Sequence, residues 1–270
     1  MNKRISIHIA NKDRHAELGL LLQSLRTQTY KDWDVVILDE NMTPINNNHF
    51  LVMLLSRIRL ENHGVNIIRN ENRWGVCKAR QKLIDDDYFN NPYICRLDDD
   101  VIINSDYLER LINVIKKGYD ISSGITPLLG YPEIERNIKH VGSIINKKVF
   151  DKEGNIIKHG DDCGCAFIDS IILPANEFRS NALMKKEVIE KVRYENNLSP
   201  VGFREEAFFS LRAQWLGFKI GVDTKAVAYH LVTPVGGCRY PDYNDKVKSD
   251  DDYFKKWAKG MYLKHGDFNE

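Results

Sequence analysis

The chain has 270 residues with 39 Lys and Arg against 38 Asp and Glu. That length can bury a full core in a single domain, and a formal charge of +1 leaves no basic excess to neutralise the phosphates of a nucleic acid. Five cysteines at irregular positions (77, 95, 163, 165 and 238) do not form a secreted disulfide framework and fit a reducing compartment. No apolar run approaches the roughly 20 residues that span a bilayer and no N-terminal signal pattern is present, so the expectation is a cytoplasmic chain, at most peripheral at a membrane.

In chain order, Ile5-Ser-Ile-His-Ile-Ala10 reads as a strand, and Asp13 is placed to cap a helix carrying Leu18, Leu21, Leu22 and Leu25 on one face. Trp33 to Leu38 reads as a second buried strand ending in Asp39-Glu-Asn41. A helix near 48–60, a strand over 65–68 and a helix around 76–87 repeat the unit, and a fourth strand runs into Asp98-Asp-Asp100. Continuous β-branched runs joined by helices predict an α/β fold with a mostly parallel sheet covered on both faces, whose ligands bind beyond the carboxyl ends of the strands. Asn11, Asp39, Asn72 and Asp98 all fall at such ends.

The three adjacent acids carry the most information. Between apolar runs they repel one another and lose solvation, a cost that a cation relieves. In an extended chain Asp98 and Asp100 face one side, about 6–7 Å apart, and Asp99 the other. That spacing predicts a clamp for a hard divalent ion with open positions for a phosphorylated ligand. An EF-hand is excluded, since Ile102 and Ile103 occupy positions that need a ligand and a glycine.

Beyond the acids, a helix capped by Asn104 or Ser105 carries Leu108, Leu111, Ile112 and Ile115. Residues 119–175 read as short strands in an antiparallel or mixed arrangement, with a hairpin turn at Asp151-Lys-Glu-Gly-Asn155. A helix over 204–216 opens with Glu205 and Glu206, and strand-like stretches at 219–222 and 226–230 end in His230. Residues 233–252 are expected as a mobile loop and 253–261 as a short helix. Cys163-Gly-Cys165 is too short a spacing for a zinc knuckle and lacks a second pair. Trp74, Tyr131, Trp215, Tyr240 and Trp257 read as core or rim, with one or two left to stack on a sugar.

This set of motifs resembles the GT-A glycosyltransferases, in particular the family 2 nucleotide-sugar-dependent enzymes, over residues 4–232. Ile7-His-Ile-Ala-Asn11-Lys-Asp-Arg14 is similar to the family's first strand and turn. Leu38-Asp39-Glu40-Asn41 stands where the family has Asp-Asp-Gly-Ser, and Asn70 to Arg80 resembles its Asn-x-Gly followed by Ala-Arg-Asn. Asp98-Asp99-Asp100 matches Asp-x-Asp, Glu205-Glu206-Ala-Phe-Phe-Ser-Leu-Arg212 resembles Glu-Asp-x-Asp-Leu-Ser-Leu-Arg, and Ala228-Tyr-His230 resembles the strand-terminal histidine of many members.

The resemblance implies a GT-A fold in one domain: a nucleotide-sugar half (1–118), an acceptor half (119–232) and a C-terminal loop and short helix (233–270). It implies donor contacts at Asn11, Asp39, Arg80, Asp98 and Asp99, Mn²⁺ or Mg²⁺ held by Asp100 and His230, and a general base at Glu206 or Glu205. The implied reaction moves a sugar, hexosyl or N-acetylhexosaminyl, from a nucleoside diphosphate sugar, a UDP-sugar in the first instance, to a hydroxyl of a glycan, protein or lipid-linked acceptor, with inversion. Two alternatives accompany it. A nucleotidyltransferase acting on a sugar phosphate needs a glycine-rich loop after the first strand, and Ala10-Asn-Lys-Asp-Arg14 has no glycine. A non-catalytic carbohydrate-binding protein of the same fold is disfavoured by the intact acids and His230.

Overall fold

The computed structural model describes residues 4–130, 135–136, 144–158, 166–167 and 170–268. Tyr131 and Cys163-Gly-Cys165 lie outside them, and the cysteines inside them, Cys77, Cys95 and Cys238, are free thiols.

The first hundred residues alternate strand and helix: β1 (Ile5–Asn11), α1 (His15–Arg26), β2 (Trp33–Asp39), α2 (His49–Leu60), β3 (Val65–Arg69), α3 (Val76–Asp85) and β4 (Tyr93–Asp98). β1 pairs in parallel with both β2 and β4, and β2 with β3, giving the order β4-β1-β2-β3. Period-two alternation divides these strands between two layers. Ile5, Ile7, Ile9, Trp33, Val35 and Ile37 pack against the leucines of α1 and α2. Val36 and Leu38 point to the opposite face, where α3 supplies Ala79 and Leu83.

The chain continues through β5 (Val101–Ile103), α4 (Tyr107–Lys116), β6 (Ile121–Ile125), β7 (Glu135–Arg136), β8 (Val149–Phe150), β9 (Ile156–Lys158), β10 (Ala166–Phe167), β11 (Ile172–Pro174) and β12 (Ala182–Lys185). The last elements are α5 (Lys186–Lys191), α6 (Glu205–Trp215), β13 (Ile220–His230) and α7 (Tyr243–His265). β12 lies antiparallel between β4 and β6, β13 runs parallel to β6, and β11 and β5 pair antiparallel with β13. The result is an α/β fold with a mixed, mostly parallel central sheet whose antiparallel pairs lie in the C-terminal half. The expected turn at 151–155 joins the antiparallel pair β8 and β9. The two stretches expected at 219–222 and 226–230 form one strand with a register shift between Val222 and Val227.

Four expectations need correction. Neither Asn104 nor Ser105 caps α4, whose N-cap is Asp106 without a side-chain bond. The acids do not continue one extended strand: β4 stops at Asp98, Asp99 and Asp100 form a turn, and β5 leaves in a new direction to pair with β13. Asp13 does not cap α1, whose N-cap is Arg14 without a side-chain bond; the Asp13 carboxylate instead accepts from the Met42 N–H at 2.7 Å and pairs with Arg73. The C-terminal helix is not short. It covers 23 residues and begins ten residues earlier than expected, because its first turns lack an apolar stripe to reveal them and are held by tertiary bonds. Buried Asp250 accepts from Ser199 N (2.7 Å), Ser199 Oγ (2.8 Å) and Phe203 N (2.9 Å). One turn on, Phe254 is fully buried with its ring 5.1 Å from that of Phe208 on α6, and the Trp257 ring lies tilted 4.5 Å from the same ring. Among the described residues no helix is long and apolar enough to cross a membrane.

Candidate active site

The carboxyl ends of β1, β2 and β4, the start of α6, the end of β13 and the segment after it surround one cavity of about 250 Å³. Asp98, Asp99, Asp100, Arg80, Glu205, Glu206 and His230 all line it, although they come from four separate stretches of the chain. Parallel strands aim their carboxyl ends one way, so residues far apart in sequence converge there.

The acid turn is neutralised by side-chain cations. Arg14 is 7% exposed and places Nη1 at 3.0 Å from Asp99 and 2.9 Å from Asp100. Asp99 also accepts from Asn11 Nδ2 at 2.9 Å and from the Lys12 N–H at 3.3 Å. Burial pushes the Asp99 carboxyl up to about 7 against the pull of Arg14, and neighbouring Asp100 adds to the push. Burial also works on Asp100, but His230 and Arg14 outweigh it and hold that carboxyl below its ordinary range. His230 Nε2 stands 3.2 Å from Asp100 Oδ2, and despite the opposing effect of burial this contact raises the imidazole pKa.

Asp98 meets Arg80 at 2.8 Å, and Arg80 reaches Glu205 at 2.7 Å with its other terminal nitrogen. Glu205 is further held by Arg96, whose two terminal nitrogens lie 2.7 and 3.0 Å from its oxygens. A bidentate fork of this kind is the strongest pairing available to a carboxylate. Burial lifts the Glu205 carboxyl while Arg96 pulls against it. Glu206 differs: its side chain is 21% exposed, it accepts from Ser180 Oγ at 3.0 Å, and Arg96 Nη2 is 3.4 Å away. Burial pushes Glu206 up, but Arg96, the neighbouring Glu205 carboxyl and Ser180 hold it below the ordinary range.

Two expected donor contacts do not reach the cavity wall. Asn11 is fully buried and spends its side chain on Asp99, the Arg14 carbonyl and Asn41. Asp39 is 2% exposed and accepts from Asn41 N, Asn41 Nδ2, Ile45 N and Arg69 Nη1, all within 3.2 Å. Three of these donors converge on Oδ1 and one on Oδ2. Glu40 takes its place on the wall.

The segment after β13 closes the cavity from the C-terminal side with Gly237, Cys238, Arg239 and Tyr243. Arg14 Nε donates to the Val235 carbonyl at 3.0 Å, Gly237 N to the Lys12 carbonyl at 2.8 Å, and Lys12 Nζ to Tyr240 Oη at 2.7 Å. This close approach needs glycine: at Gly236 and Gly237, with φ of +71° and +53°, a Cβ would stand 2.7 and 2.8 Å from the nearest atoms, at Lys12 and Arg14. Of the expected aromatics, Trp215 and Trp257 pack around Phe208 and Phe150, and Trp74 is 37% exposed beside Lys82.

The sequence model of glycosyl transferase family 2 matches residues 6–173, more than half of the chain. The chain belongs to that family. Solved structures with the same fold include S. aureus TarS, 15% identical, TM-score 0.58, over 86% of this chain and 37% of TarS. TarS 1–349 in complex with UDP-GlcNAc is 13% identical with TM-score 0.62, covering 96% of this chain and 71% of the other. GalNAc-T7 with UDP, GalNAc and Mn²⁺ is 16% identical with TM-score 0.67, covering 93% of this chain and 49% of the other. The chain thus spans little more than a third of TarS and about half of GalNAc-T7. No curated protein matches the sequence.

For this family 2 chain, sequence reasoning missed Arg14, Arg96, Glu40 and Ser180. Arg96 left a signal: a charged side chain between buried Cys95 and Leu97 in a core strand requires a buried counter-charge. Arg14, Glu40 and Ser180 carried none, since polar residues in loops usually face water.

Proposed function

We propose that this chain transfers a sugar from a nucleoside diphosphate sugar, in the first instance a UDP-sugar of the hexosyl or N-acetylhexosaminyl type, to an acceptor hydroxyl. The observation that carries this reading is the convergence of Asp98, Asp100, His230 and Glu206 on one cavity at the carboxyl ends of the parallel strands. The structural neighbours holding UDP-GlcNAc, or UDP, GalNAc and Mn²⁺, support it.

Asp100 and His230 fit a hard divalent ion as two protein ligands. Their donor atoms stand 3.2 Å apart on the cavity wall, and no group of three or more ligating side chains is found among the described residues. A site of this type suits Mg²⁺ or Mn²⁺, which keep waters and take oxygens from substrate phosphates. When bound, such an ion stabilises the charge that builds on the departing diphosphate.

The remaining steps belong to the chain's own side chains. Arg80 and Asp98 form the wall on the ribose side. Glu206, open to the cavity, accepts the acceptor's hydroxyl proton as that oxygen bonds to the anomeric carbon and the bond from that carbon to the phosphate oxygen breaks, which inverts the anomeric centre. Glu205, enclosed by two arginines, holds the start of α6 in place. Asp99 anchors the turn rather than touching the donor. Residues 1–118 form the donor half of a single domain, and residues 119–232 face a glycan, protein or lipid-linked acceptor.

The test is thermal stability of the purified protein with nucleoside diphosphates and their sugars, each with and without Mn²⁺. A ligand bound only by the native state stabilises it by mass action, by about 2.7 kcal/mol at a hundredfold excess over Kd, and so raises Tm. A Mn²⁺-dependent rise with one nucleotide that disappears in Asp100→Ala is expected. If no nucleotide shifts Tm with or without the metal, the donor-site reading is wrong.

A further inference from the structure

Ser180 lines the cavity and lies two residues before Ala182, the first residue of β12, which pairs with Arg96 of β4. Its carbonyl accepts from Arg96 Nε at 2.7 Å. The next residue, Asn181, is fully buried, and its side-chain oxygen accepts from the Asp98 N–H at 2.9 Å, where the ladder between β4 and β12 has ended. The Asn181 carbonyl in turn accepts from Ser123 Oγ at 2.7 Å and from Tyr107 Oη at 3.2 Å. These bonds fix Ser180 relative to Asp98, the residue that opens the acid turn.

From that place Ser180 Oγ reaches the first turn of α6 and donates to Glu206 Oε1 at 3.0 Å. Arg96 Nη2 approaches the same oxygen only to 3.4 Å, because it stands 2.7 Å from Glu205 Oε1, so the serine makes the shorter bond. A glutamate turns about three side-chain bonds, and a partner is needed to hold it in one rotamer. We propose that Ser180 is a positioning residue for Glu206: its hydroxyl, tied through Asn181 to the end of β4, fixes the carboxylate at one rotation and one distance from the donor acids. Misplacing a reacting group by about 1 Å costs on the order of 100-fold in rate. A hydrogen bond to a carboxylate also favours its charged form. The other charged and titratable groups around Glu206 are Arg96 and Asp98 on β4, Glu205 beside it, Arg179, Tyr194 and Cys77, and a Ser180→Ala variant keeps all of them.

This inference rests on the donor-site reading with Glu206 as base, and the experiment separates their failures. UDP release from UDP-glucose, UDP-galactose, UDP-GlcNAc and UDP-GalNAc is measured in Mn²⁺ with water as the acceptor, between about pH 5 and pH 9. The chains compared are the wild type, Ser180→Ala, Ser180→Thr and Glu206→Gln. With the donor that the wild type hydrolyses fastest, Ser180→Ala should lose roughly 10- to 100-fold in kcat while KM stays within about twofold. Losing a bond to the charged form raises the pKa, so the acid limb of its pH profile should move up by roughly one unit. Ser180→Thr keeps the hydroxyl and should recover most of the rate. The ¹³C carboxyl titration of Glu206, assigned by the resonance missing from Glu206→Gln, should shift upward in Ser180→Ala with no ligand present. An unchanged kcat, an unchanged carboxyl titration, or a loss that falls on KM alone overturns the positioning role. A Glu206→Gln variant as active as the wild type refutes the base, and Ser180's role with it. A wild type that hydrolyses none of the four refutes the UDP-sugar reading and the inference built on it.

Discussion

Arg96→Met removes a guanidinium that is 4% exposed and bonded to both oxygens of Glu205, to Tyr194 Oη at 3.2 Å and to the Ser180 carbonyl at 2.7 Å. Deleting one member of a buried ion pair costs roughly 3–5 kcal/mol, because the remaining charge stays buried without its partner. Arg80 still stands 2.7 Å from Glu205, which places the loss at the lower end, about 3 kcal/mol. In a chain of this size that corresponds to a fall in Tm of roughly 6–12 °C. Urea denaturation of the wild type, Arg96→Met, Glu205→Met and the double variant measures the coupling directly. The double variant should recover about 2 kcal/mol or more of the summed losses, since replacing both charges of a buried pair by apolar groups is close to neutral. A loss below about 1 kcal/mol for Arg96→Met, or single losses that simply add in the double variant, would show that Glu205 is not held by this fork.

The two glutamates should separate by their phenotypes. Glu206→Gln should lower kcat by roughly 10²- to 10⁴-fold while donor Kd changes less than about twofold; Glu205→Gln should lower Tm first, and a stable but inactive Glu205→Gln beside an active Glu206→Gln would reverse the assignment. Acid stability should depend on Asp34. Burial raises its pKa, but Arg4 at 2.6 and 2.9 Å, the Asn91 amide and the Gly64 N–H outweigh it and hold the folded value below the unfolded one. Its contribution is therefore complete above the unfolded pKa of about 3.9 and is lost as pH falls through the lower folded value. The stability of Asp34→Asn, followed by denaturation between pH 5 and pH 3, should fall less steeply than that of the wild type, and parallel curves would remove Asp34 from the acid transition.

Hydrophobic periodicity is a local property, so the framework was legible in the order of the residues. Ile5, Ile7 and Ile9, the leucines of α1 and the β-branched run of β2 can be satisfied only by a sheet covered on both sides, and that places Asp98 and Glu40 at strand ends whatever the details. Charge without solvation gave the next level: three adjacent acids after a core strand demand cations. Which cations they receive was a tertiary decision. Arg14, 84 residues before Asp98, and Arg80 reach the turn and the end of β4 because β1 and α3 pack beside β4, and His230 arrives only through the pairing of β13 with β5. Tertiary structure likewise separated adjacent residues of the same type. Asp39 is enclosed by its own loop while Glu40 faces the cavity, and Glu205 is gripped by two arginines while Glu206 keeps contact with solvent. Side chains one position apart on a strand end or a helix turn point in different directions, so a carboxylate's environment depends on what packs against that direction. The same dependence hid the first turns of α7, whose helix is held by Asp250 on the 199–203 loop rather than by an apolar pattern of its own.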